Sequence, residues 1–242
     1  MFAMVIEVLT IIISSVAFIL SLLSFFYNRN KNKIERAIEL ANVYRKLIND
    51  ISEFNKIFEE HSEIQALLAK EKLDEKTRFN YSEIMNIYSS KEKQKIENFF
   101  FGNGMNADIL RKVYFTYRLQ GVSDINPMLL NPSKKTDEKQ QAVQDSLIRN
   151  YYKSKFCSFL NQMEFFSMAF VQNVADDDVV YQSLHQTFLG ITRYFYYYIS
   201  RNNKSTENKY YTNIIQLHSK WIAKQMKYKN KADDVIKHRK KC

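Results

Sequence analysis

The hydrophobic pattern changes once along the chain, from an unbroken apolar run to a helical rhythm. From Val8 to Tyr27 the sequence VLTIIISSVAFILSLLSFFY holds twenty residues without a charge, a length that spans about 30 Å of hydrocarbon as a helix. The run predicts one transmembrane helix. Glu7, Thr10, Ser14, Ala17, Ser21, Ser24 and Asn28 recur at alternating steps of three and four, so all seven fall on one helix face. Within the span the other faces carry Ile, Leu, Val and Phe apart from Ser15. Small and polar residues let helices approach and hydrogen-bond in a bilayer, so the stripe reads as a self-association seam or as the wet wall of a multi-helix pore. Hydroxyls bonding back to their own helix are the competing use.

Past the span no Gly or Pro occurs before Gly102, and nothing obliges the helix to stop at the membrane surface. Ile34, Ile38, Ala41, Leu47, Ile48, Ile51, Phe54 and Phe58 give it an apolar face at helical spacing. Further helices are expected near Glu63 to Lys72 and from Tyr81 to Phe101, with a break at GNGMN where glycine supplies a left-handed cap. Asn106 then caps a helix through Ala107 to Gln120, and GVSDINPMLLNPSKK is a long loop. Thr136 opens an aromatic-rich helix to about Asn173. Asp176, Asp177 and Asp178 start one that ends near Ser200, and a last helix turns Ile214, Leu217, Trp221 and Met226 inward. Six or seven helices and no strand alternation make the expected fold all-α, a single N-terminal transmembrane helix followed by a cytoplasmic helical bundle. The expected divisions are an anchor with its basic flank over 1–33, the helical domain over 34–228 and a basic tail over 229–242.

Composition agrees with this reading. Four Gly and two Pro against 18 Phe and 16 Tyr leave too few turn formers for a sandwich or barrel, and no glycine-rich phosphate loop. The net charge of +10 suggests a polyanionic partner only if it is spread over the body. It is not: residues 28–36 carry +3, residues 216–242 carry +7, and residues 37–215 hold 23 positive against 22 negative side chains. No Lys or Arg precedes the span, whereas Arg29, Lys31, Lys33 and Arg36 follow it. That asymmetry predicts a single-pass membrane protein with its N-terminus outside and its body in the cytoplasm. A cleaved signal peptide would need a basic leader and a small-residue cleavage site instead. Tyr27, Phe25 and Phe26 are placed near the inner interface, and Cys157 and Cys242 face a reducing compartment where they need not pair. The C-terminal cations, Lys224, Lys227, Lys237, Arg239, Lys240 and Lys241, have three readings: a solvated helix end, a second contact with anionic lipid, or a site for nucleic acid or a nucleoprotein.

Candidate chemistry is sparse. His61, His185, His218 and His238 lack zinc-ligand spacing and no Cys pair exists, so no metal, cofactor or small-molecule substrate is expected. No Arg is followed four to six residues later by His, the signature of one family of helical ribonucleases. The Asp triplet reads as a helix cap before it reads as a Mg²⁺ site. Glu164 is a charge in the apolar stretch FLNQMEFFSMAF and is costly to bury unpaired. It reads as one half of an ion pair with Arg193 or Arg201, or as a position that faces water, and Asn161 lies one turn earlier on its face. Arg193 with Tyr194, Tyr196, Tyr197 and Tyr198 interleaves a cation and aromatics as single-strand binders do, and as packed cores also do. No catalytic residue is assigned.

FCSFLNQMEFFSMAF, DDDVVYQSL, RYFYYYISRNN and YYTNIIQLHSKW together resemble bacterial membrane-anchored proteins of the domain of unknown function numbered 4760. Asn161, Glu164, Asp177, Arg201 and Trp221 occupy that family's recurring places, over Phe156 to Trp221. The resemblance implies a single-span protein with a helical cytoplasmic domain and no established catalysis. In architecture alone the chain is similar to membrane accessory proteins of bacterial antiviral systems, including those beside RNA-targeting CRISPR nucleases, which assemble in the inner membrane and disturb it. The resulting expectation is a non-enzymatic protein that self-associates through its span, in its sharpest form a membrane-perturbing defence effector. The alternative is an anchored module recruiting nucleic acid or a partner protein through its basic C-terminus. A helical hydrolase built on Glu164 ranks last.

Overall fold

A computed structural model describes residues 2–70, 72–118, 138–205, 207 and 209–239, with side chains over 16–70, 72–117, 138–205, 207 and 209–231. All regular structure among these residues is helical: α1 Phe2–Glu60, α2 Ser62–Leu68, α3 Tyr81–Ile87, α4 Ser90–Phe101, α5 Ala107–Arg118, α6 Glu138–Val171, α7 Asp177–Tyr194, α8 Tyr196–Asn202 and α9 Thr212–Arg239. The expected six or seven helices become nine among the described residues because two long ones are broken. Ser89 separates α3 from α4 with a capping box: its hydroxyl accepts from Glu92 N at 3.3 Å and its amide donates to the Glu92 carboxylate at 2.8 Å. Phe195, at φ −92° and ψ 4°, separates α7 from α8. The loop GVSDINPMLLNPSKK and Thr136 lie outside the described residues.

The 59-residue α1 is the organising element, about 90 Å long. Its core face is Ala37, Leu40, Tyr44, Leu47, Ile51, Phe54 and Phe58, again at steps of three and four. The expected face was rotated: Ile34, Ile38 and Ile48 are exposed. Tyr44, fully buried against Phe166 at 4.8 Å, supplies a core position that its hydroxyl disguises. Met226, expected inward, is 40% exposed, since α9 has left the core by that point.

Aromatic side chains fill the centre. Phe54 meets Phe156 at 4.7 Å and Phe159 at 5.1 Å, and Phe58 stacks on Tyr194 at 4.9 Å. Such pairs contribute about 0.5–1.5 kcal/mol each beyond area burial. At the GNGMN break neither glycine needs a left-handed backbone, contrary to expectation; Gly102 has φ −95°. The constraint is close approach: a Cβ on Gly102 would lie 2.9 Å from the Asn98 carbonyl oxygen, and one on Gly104 2.9 Å from the Asn98 carbonyl carbon. Asn106 caps α5 as expected, accepting from Asp108 N at 2.9 Å and Ile109 N at 3.3 Å.

Residues 16–32 of α1 are exposed at every position. Phe18 is 65%, Leu20 60%, Leu23 60% and Tyr27 69% accessible. Among the described residues no helix is long and apolar enough to cross a membrane. The side chains of Val8–Ser15, the first part of the predicted span, lie outside the described residues, as do those of Glu7, Thr10 and Ser14 from the seam.

Candidate functional site at the basic end of the bundle

The turn between α6 and α7 docks where α1 leaves the bundle. Asn173 ends α6 in the left-handed region at φ 58°, and the amides of Val174 and Ala175 both donate to the Ala169 carbonyl, at 2.9 and 3.1 Å, in the manner of a helix C-cap. Asp176 then donates its amide to the Lys33 carbonyl at 3.2 Å. This bond ties the start of α7 to α1 six residues past the predicted span. Between them lies an open groove of about 450 Å³, with Phe25, Asn28, Arg29, Asn32 and Lys33 on one side and Asn173 and Val174 on the other.

The Asp triplet divides its work. Asp176 caps α7 by accepting from Asp178 N at 2.9 Å. Asp177, 8% exposed, accepts from Lys220 Nζ at 2.6 Å, the Trp221 indole N–H at 3.2 Å and Lys224 Nζ at 3.5 Å. Asp178 pairs with Lys224 as well. Burial pushes the Asp177 carboxyl up, but Lys220, Lys224 and the indole outweigh it and hold the group below the usual carboxylate range. Lys224 is pushed down by burial and raised more strongly by Asp178 and Asp177. Lys224 is therefore no free contact for lipid or nucleic acid, which corrects the expectation for this residue. Beyond it, Lys227, Lys229 and Lys231 are exposed on α9, which runs unbroken through the boundary expected at 229. Side chains of Lys237 and Arg239, with all of Lys240, Lys241 and Cys242, lie outside the described residues.

Along α1, Ala17, Ser21, Ser24 and Asn28 of the seam are exposed, as are Arg29 and Lys31, while Lys33 is half-buried. Lys31 pairs with Glu35 at 3.7 Å and Arg36 with Glu39 at 2.8 Å.

The expected polar pair around Glu164 does not assemble. Glu164 instead caps α9: Oε1 accepts from Asn213 N at 3.0 Å and Asn213 Nδ2 at 2.8 Å, and Oε2 from Ile214 N at 2.9 Å. A carboxylate at a helix N-terminus is stabilised by the unpaired amides and the dipole there. Arg193 donates to the Ala69 carbonyl. Arg201 faces Glu97 at 3.6 Å and lies 4.2 Å over the Phe101 ring. Among the described residues Asn161 reaches the Cys157 sulfur, at 3.9 Å. Tyr196 and Tyr197 are buried, with hydroxyls toward Glu83 at 3.1 Å and Glu97 at 3.4 Å, so the Arg–Tyr run is core and no open stacking platform.

Three polar clusters went unread in the sequence. Glu53, 5% exposed, accepts from the Tyr152 hydroxyl at 2.5 Å and pairs with Lys155, which also meets Asp50 at 2.9 Å. Arg111, 8% exposed, bridges Asp108 and Asp145, the latter at 2.6 Å. Buried Asn203 bonds Phe79 O at 3.3 Å and both polar backbone atoms of Tyr210; the Phe79 ring packs on His218, whose Nδ1 is buried without a partner among the described residues. Their partners lie up to 124 positions apart, so no local spacing could announce them. Among the described residues no group of three His, Cys, Asp or Glu is placed to hold a metal ion.

Residues 111–221 match the family model described as Domain of unknown function (DUF4760). The match begins well before Phe156, on α5, and ends at Trp221, so it takes in Arg111 and Asp145 but not Asp108, and Asp177, Lys220 and Trp221 but not Lys224. No curated protein and no solved structure matches the chain.

Proposed function

We propose that this chain, whose residues 111–221 match the DUF4760 family model, is a single-span inner-membrane protein that acts by self-association through its span. The carrying observation is the segment of α1 that stands clear of the bundle. Phe18, Ile19, Leu20, Leu22, Leu23, Phe25, Phe26 and Tyr27 are all at least 40% exposed. Leaving them in water forgoes about 10 kcal/mol of transfer free energy, as much as the whole stability of a typical domain. Lipid over Val8 to Tyr27, with the seam residues inside that span turned to a second copy, recovers it.

The charge distribution supports the orientation. Arg29, Lys31 and Lys33 follow the exposed segment, and the Lys33 carbonyl is bonded to the head of α7, where Lys220 and Lys224 of α9 also converge. Lys227, Lys229 and Lys231 therefore leave the body from the end at which α1 emerges. Each contributes about 1 kcal/mol near an anionic leaflet, a contribution screened by salt. A body in the cytoplasm and an N-terminus outside satisfy both basic segments at once.

In its sharpest form the assembly perturbs the membrane, as a defence effector does. Full-length protein expressed in cells tests the reading: it should resist alkaline extraction from membranes, a protease added outside should leave the body intact, and expression should lower membrane potential. Release of the chain by alkali refutes anchoring. Intact potential with stable oligomers refutes the perturbing form alone.

The exposed lysines of α9 favour the second reading, an anchored module that recruits nucleic acid or a partner. It predicts retention of nucleic acid at low salt that disappears when Lys227, Lys229 and Lys231 are replaced, with oligomer size unchanged.

A further inference from the structure

The four cations that follow the predicted span are not equivalent. Lys31 and Arg36 are engaged by Glu35 and Glu39 on their own helix. Arg29 and Lys33, one turn apart on the face toward the α6–α7 turn, have no acidic or hydrogen-bonding side-chain partner among the described residues. Both line the groove of about 450 Å³ beside that turn, together with the amides of Asn28, Asn32 and Asn173, and no carboxylate lines it. The apolar lining is Phe25, from the last turn of the span, and Val174.

We propose that this groove binds the phosphate headgroup of an anionic phospholipid of the inner leaflet. The proposal rests on the membrane-anchored reading of α1. Two cations and three amide side chains are donors to phosphate oxygens, and the absence of a lining carboxylate removes the usual repulsion. Phe25 and Val174 give the first acyl carbons an apolar contact at the depth where aromatic side chains of a span meet the interface. The groove is preformed by backbone bonds: the Ala169 carbonyl holds Val174 and Ala175, and the Asp176 amide holds Lys33. Little ordering is therefore left to oppose binding. Such a lipid would brace the α6–α7 turn against α1 and set the bundle close to the membrane surface.

Full-length protein reconstituted into phosphatidylcholine vesicles containing phosphatidylglycerol, then released into mild detergent, tests this by native mass spectrometry of the lipids it retains. Wild type should retain phosphatidylglycerol over phosphatidylcholine. Arg29→Gln with Lys33→Gln should reduce that retention by about tenfold, and Val174→Asp, which leaves both cations in place, should reduce it as well. Lys31→Gln with Arg36→Gln, equal in charge removed, should reduce it far less. Equal losses in the two double variants would reduce the effect to net charge and overturn the site, as would full retention by Arg29→Gln with Lys33→Gln. Displacement of the lipid by inorganic phosphate in the millimolar range assigns the groove to a free anion and overturns the lipid. Alkaline extraction of the same vesicles reports anchoring separately, so loss of the span reading is told apart from loss of the headgroup site.

Discussion

The Tyr152 hydroxyl donates to Glu53 at 2.5 Å across 99 positions of sequence, inside the core that joins α1 to α6. Glu53 is almost fully buried, and its charge is tolerable because Lys155 neutralises it while Tyr152 supplies a second donor. Removing the cation alone strands the carboxylate. Lys155→Met should therefore destabilise the domain by about 3–5 kcal/mol, whereas Tyr152→Phe should cost about 1–2 kcal/mol. Urea unfolding of the purified protein compares them, and equal effects would remove the ion pair from the account.

His218 makes stability depend on acid. Burial lowers its pKa from the ordinary 6.5 to about 4, so between those values the unfolded chain takes up a proton that the folded one refuses. Stability is then highest above pH 6.5 and falls as pH drops toward 4, with a slope approaching about 1.4 kcal/mol per pH unit from this group. His218→Phe keeps the ring against Phe79, now 5.1 Å away, and removes the unpaired Nδ1. It should flatten that window in unfolding curves collected across pH. An unchanged slope contradicts the assignment.

Asp177 acts in a lower window. Its folded pKa is depressed, so its contribution is complete above the ordinary carboxylate range and disappears as pH falls through the folded value. Asp177→Asn should lower stability at neutral pH by about 1 kcal/mol, discounted for the partial exposure of Lys220. The same variant should remove part of the acid-induced loss below pH 4. It should also loosen the Lys220 to Tyr228 stretch of α9, read as faster amide exchange there.

Glu164 separates a structural carboxylate from a catalytic one. As a cap for α9, its replacement by Ala should cost about 1–2 kcal/mol and its replacement by Gln less, because the amide oxygen can still accept from Asn213 or Ile214. Retained stability with lost biological activity on Glu164→Gln would bring back the hydrolase reading.

Much of the architecture was legible because helices announce themselves by periodicity. The α5 cap at Asn106 and the start of α7 at the Asp triplet were read directly. The rotated face of α1 was not, because Tyr44 and Ala37 look indifferent in a pattern that prefers Ile34 and Ile38, and only packing against α6 and α7 decides the face. The capping box of Ser89 and Glu92 is legible in its Ser-x-x-Glu spacing. At the basic end, sequence separated the charged segments from the neutral body, yet it counted Lys224 as free. Its pairing with Asp177 and Asp178 depends on how α9 crosses α7. Glu164 drew attention as a buried charge, but the amides that satisfy it are backbone groups, which no side-chain pattern reveals.

The central claim is that α1 spans the membrane and holds copies together through its small-residue face. Its most direct test is the mass of the detergent-solubilised full-length protein by light scattering, for wild type and for Ala17→Leu, Ser21→Leu and Ser24→Leu combined. The substitutions keep the span apolar and block close helix approach. Wild type should have a mass of several protomers and the triple variant a markedly lower one, both extracted from the membrane fraction. Equal masses would contradict assembly through this face.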